Sequence, residues 1–94
     1  MRRRSVIEFK IKELEDSAKS ARSKGQHHSS EIRERQALAL KNSLGKTTKA
    51  IKHDMLLTRD EISSMEKGNY SGSDIFKAKR VNQIRKWILG GYEE

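Results

Sequence analysis

Apolar residues in the first quarter of the chain recur at the spacing of a single helix face. Ile7, Ile11, Leu14, Ala18 and Ala21 step by four, three, four and three. That spacing gathers them into one stripe and leaves the charged residues elsewhere. The same steps make a heptad seam, sustained here for about two heptads. No segment shows the period-two alternation of a half-buried strand, and the chain has no Pro. The expected fold is therefore all-α, a small bundle of about five helices.

The stripe predicts a first helix over 5–22. A polar run, 23–30, reads as a linker. Ser29 or Ser30 then caps a helix over 30–44, with Glu31 and Glu34 in its first turn, where the helix dipole favours anions. Ile32, Ala37, Leu40 and Leu44 form its face, and Gly45 follows as a stop. Thr47 is placed to cap a short helix over 48–55 carrying Ile51 and Met55. Thr58 and Glu61 fit a capping box that opens another short helix, 59–67, with Ile62 and Met65 inward and Gly68 as terminator. Ser71 and Ser73 precede a long helix over 74–89. Its apolar face is Ile75, Ala78, Val81, Ile84 and Ile88, flanked by Phe76 and Trp87, and it ends at Gly90-Gly91. Lys77, Lys79, Arg80, Arg85 and Lys86 fill its other side. Two parts are expected: a basic amphipathic helix with its linker over 1–28, and a helical domain over 29–94.

Ninety-four residues suit one domain with a small core. Charged residues, at 36%, outnumber apolar ones, at 33%, and the net charge is +8. Such an excess favours a polyanionic partner. Half of it lies in the first 24 residues. With no Cys there is no disulfide framework, thiolate zinc site or thiol nucleophile. His27 and His28 are adjacent and lack supporting ligands, so no metal or other cofactor is expected. No nucleophile–base pattern or phosphate loop appears, which argues against an enzyme and a small-molecule substrate. Met1-Arg2-Arg3-Arg4 lacks a following apolar core, and no apolar run reaches 18 residues, so a cytoplasmic protein without membrane contact is expected, in a host cytoplasm or on the nucleoid.

Two short helices separated by a few residues, between two longer ones, are the layout of a helix-turn-helix. Leu44-Gly45, Thr47-Thr48, Ile51, Met55, Leu57-Thr58-Arg59, Ile62-Ser63 and Met65-Glu66-Lys67-Gly68 resemble the Xre/Cro-type helix-turn-helix domain of phage repressors and antitoxins. The resemblance covers about residues 40–75. Lys52 stands where that family has a small residue, Leu56 where it often has glycine, and Thr48 where it has glutamine. The resemblance implies a DNA-binding protein, a transcriptional regulator or phage or plasmid accessory factor, that reads the major groove of double-stranded DNA with helix 59–67.

The residues expected at DNA are Thr58, Arg59, Ser63, Ser64 and Lys67 on that helix. Lys46, Thr47, Thr48 and Lys49 would clamp phosphate at a helix N-terminus. Arg2, Arg3 and Arg4 would act as a basic arm. A homodimer is expected, with the stripe at 7–21 or helix 74–89 as its interface. The acidic Asp60-Glu61 pair and Lys52 support an alternative, a phage-type interaction module that binds and modulates a nucleic-acid-handling host machine. RNA binding is a third reading.

Overall fold

A computed structural model describes residues 1–90. They form four α-helices: α1 (Arg4–Ser23), α2 (His27–Ser43), α3 (Thr48–Lys67) and α4 (Gly72–Ile88). No strand occurs among the described residues. Gly91 and the rest of the expected 29–94 part after Gly90 lie outside them.

The α1 stripe is buried as its spacing predicts. Ile7, Ile11 and Leu14 share one core with Ala37, Ala39 and Leu40 of α2, Ile51 of α3, and Ile84 and Ile88 of α4. Leu40, Ile51 and Ile88 have no exposed surface. Burying each such side chain stabilises by about 1.5–3 kcal/mol. The core therefore draws on both segments, 1–28 and 29–94. The stripe at 7–21 and the inner side of α4 face this chain's own helices, so neither is available as a dimer interface.

α1 and α2 pack antiparallel. Arg22 meets Glu34 and Lys41 meets Glu15, so partners descend along α2 as they ascend along α1. The linker between them is shorter than expected. α2 begins at His27, its cap position is Gln26, and Ser29 and Ser30 lie inside the helix. Ser30 instead donates its hydroxyl to Glu34.

The largest departure concerns residues 48–67. The two short helices expected there are one continuous helix, α3, so the described residues form four helices rather than five. The turn that a helix-turn-helix needs between 55 and 59 is absent. Thr58 is not a cap: its hydroxyl accepts a hydrogen bond from Arg85 at 2.7 Å. The true cap is Thr47, whose side chain accepts from the Ala50 N–H at 3.2 Å. Gly45, at φ 81°, makes the left-handed step that ends α2. Beyond α3 that step falls on Asn69, at φ 62°, rather than on Gly68.

α4 begins at Gly72, capped by Ser71, and of its expected apolar face only Ile84 and Ile88 are buried, with Ile75, Ala78 and Val81 half-buried. Lys77, expected on the solvent side, is buried, while Phe76 is exposed. No described helix is long and apolar enough to cross a membrane.

Candidate nucleic-acid interface

α4 lies beside α3 and is tied to its middle by two polar side chains. Asn82 donates its amide N–H to the Met55 carbonyl at 3.0 Å, and Arg85 donates to Thr58 and to the Asn82 oxygen. An open groove of about 570 Å³ runs along the same α3–α4 contact. Met55 and Ile62 line its base. Arg59, Ser63 and Glu66 of α3 stand along one side, and Lys79, Gln83 and Lys86 of α4 along the other. Glu66 approaches Lys79 at 3.8 Å. Arg59 and Lys86 enter no ion pair among the described residues. The groove thus offers two cations without an ion pair among the described residues, the Lys79–Glu66 pair, amide and hydroxyl groups, and an apolar base.

Arg59 and Ser63 are the expected DNA-contacting residues that the structure brings into this groove. Thr58 lies beneath it, occupied by Arg85. Ser64 lies on the other flank of α3, beside Asp60 and Glu61. Lys67 is exposed at the end of the same helix.

The expected phosphate clamp at 46–49 is divided. Lys46 pairs with Asp54 at 2.8 Å, and this hydrogen bond holds the Asp54 carboxyl below its ordinary range. Thr47 is engaged as the cap, while Thr48 and Lys49 remain exposed.

The N-terminal arginines do not form one free arm. Arg2 donates Nε–H to the Trp87 carbonyl at 2.7 Å and lays its guanidinium over the Trp87 ring, 4.5 Å from the centroid. Arg4 pairs with Glu8 at 3.7 Å. Arg3 alone of the three is exposed without an ion pair among the described residues.

Sequence reasoning assigned Lys79 and Lys86 only to a solvated face and did not single out Asn82 or Gln83. Their signal was present: 79, 82, 83 and 86 follow the three-and-four spacing of one polar helix stripe. Among the described residues, no group of three or more His, Cys, Asp or Glu side chains is placed to hold a metal. Comparison with known proteins finds no family model, no curated protein and no solved structure that matches this chain.

Proposed function

We propose that the protein binds nucleic acid, double-stranded DNA first, through the α3–α4 groove. The observation that carries this reading is the pair Arg59 and Lys86, which line an open groove and enter no ion pair among the described residues, on a chain of net charge +8. Affinity comes mainly from phosphate neutralisation and counterion release. Ser63, Asn82 and Gln83 add hydrogen bonds that position the backbone. With α3 unbroken, the mode is a groove that receives phosphate rather than a short reading helix inserted into DNA. The activity suits a transcriptional regulator or an accessory factor of a phage or plasmid.

Fluorescence anisotropy against a labelled duplex, measured across salt concentration, tests this. Arg59→Ala and Lys86→Ala should each weaken binding across sequences and reduce the salt slope by about one. Lys24→Ala, in the α1–α2 linker, should alter the slope less. Absence of duplex binding by the parent protein at low salt overturns the proposal. Competition with duplex RNA decides between DNA and RNA.

A second reading, a protein-interaction module, is favoured by the opposite flank of α3. There Leu57 stands 50% exposed next to Asp60 and Glu61, with Leu56, 55% exposed, on the adjoining outer face. Capture of a host nucleic-acid-handling protein that survives nuclease treatment would support it over the first.

A further inference from the structure

α3 is the helix that the core holds least. Of its 20 residues only Ile51 and Ile62 are buried. They are three turns apart, so they lie on one line along the helix, facing the rest of the molecule. Lys49 and Asp60 each sit two residues earlier. They therefore share a second line, turned by about 200° and facing solvent. His53 and Leu56 fall between them on that outer seam, and Leu57 lies on its flank. All five are exposed.

The seam is polar in a directed way. It begins with Lys49, is apolar at Leu56 and Leu57, and turns acidic at Asp60 and Glu61. Lys49, Asp60 and Glu61 take part in no ion pair among the described residues. Lys49 lies in the first turn of α3, which holds no acidic residue, at the helix end where the dipole favours an anion. Beside the acidic end, Leu57, Asp60, Glu61, Met65 and Tyr70 border an open hollow of about 580 Å³.

We propose that this outer face of α3 is the interface of a homodimer. Two copies pack with their α3 helices antiparallel. Lys49 meets the partner's Asp60, Asp60 meets the partner's Lys49, and Leu56 and His53 fill the middle. The basic start of the partner's α3 then covers the hollow beside Asp60 and Glu61. A two-fold interface must match its own surface, and a charge sequence that reverses from end to end does so only when the helices run in opposite directions. A parallel pairing sets Lys49 against Lys49 and Asp60 against Asp60. The α3–α4 groove lies on the other flank of the helix and stays open. The two-fold relation places both grooves on the same side of the dimer.

Sedimentation equilibrium on the full chain, after nuclease treatment, tests this without nucleic acid. One helix per copy is a small interface, so the mass should rise from 10.8 kDa toward twice that value over about 10–500 µM. Lys49→Asp and Asp60→Lys should each raise the dimer dissociation constant about tenfold, because each reversal turns two symmetry-related attractions into repulsions. The double variant should return to within about threefold of the parent, since both pairs then attract again. Leu56→Asp should abolish the dimer while leaving the far-UV circular dichroism unchanged. A monomer mass throughout overturns the proposal, as does failure of the double variant to restore association or persistence of the dimer in Leu56→Asp. Association seen only before nuclease treatment also overturns it and points to nucleic acid bridging two copies.

Discussion

Lys77 crosses from α4 to Glu31 of α2, its Nζ 2.9 Å from the carboxylate, from a position only 8% exposed. A cation taken out of water in this way needs its counter-charge. Glu31 is the more exposed partner, and the hydrogen bond from Lys77 holds its carboxyl below the ordinary value of 4.5. Removing the carboxylate strands the cation, whereas removing the cation leaves an anion that water can reach. Glu31→Gln should therefore lower Tm by about 3–8 °C, and Lys77→Met should leave it within about 3 °C. Thermal unfolding followed by circular dichroism checks the order of the two variants.

The same pair sets an acid limit. A carboxyl whose folded pKa is depressed adds stability above its unfolded pKa and loses it as pH falls through the folded value. Glu31 and Asp54 both shift downward, each first through a lysine hydrogen bond. Stability should be flat from neutral pH to about 5 and then decline below the ordinary carboxylate range. Urea unfolding at a series of pH values should show a shallower decline in Glu31→Gln than in the parent.

Continuity of α3 through residues 56–58 has a sharp test. Leu57→Pro removes a helix-interior hydrogen bond and clashes with the preceding turn, at about 3 kcal/mol or more. It should also reduce helical ellipticity. Leu57→Ala should change stability by no more than about 0.5 kcal/mol, since the side chain is half exposed. A well-tolerated proline would mean that these residues form a turn instead.

Two leucines in α2 separate core from surface. Leu40 is fully buried and Leu38 is 57% exposed. Leu40→Ala should destabilise by about 2–5 kcal/mol. Leu38→Ala should stay within about 0.5 kcal/mol. Chemical denaturation measures both.

Arg2 closes the N-terminal end over Trp87, and its backbone N–H donates to the Ile88 carbonyl at 2.7 Å. Arg2→Ala removes the cation from the ring and a hydrogen bond to the Trp87 carbonyl, a loss of about 1–2 kcal/mol. Trp87 is the sole tryptophan, so its fluorescence reports the change directly. A red shift is expected as water replaces the guanidinium.

Most of the architecture was legible from spacing. The Ile7–Ala21 stripe located α1, and Ile84 and Ile88 located the inner face of α4. The break expected at 56–58 came from reading Thr58 and Glu61 as a capping box, a local pattern that a helix interior accommodates equally well. The opposing signal was longer in range: Ile51 and Ile62 keep phase across three turns, which a turn between them would have disrupted. Contacts between distant segments had no comparable signature. Nothing local foretells that Arg2 would dock on Trp87, or that Lys77 would be drawn inward by Glu31. The candidate groove was half visible, because Arg59 and Ser63 lie on α3 while Lys79 and Lys86 belong to a helix whose polar side looked like plain solvent surface.

An unbroken α3 also fixes the geometry of its two ends. With no break between Thr48 and Lys67, about 30 Å of helix runs uninterrupted between the left-handed turns at Gly45 and Asn69. It is fastened along its length mainly by Ile51, Ile62 and the Asn82 and Arg85 bonds. Its two ends, at Thr48 and Lys67, are therefore fixed relative to each other, so a partner that orients one end orients the other.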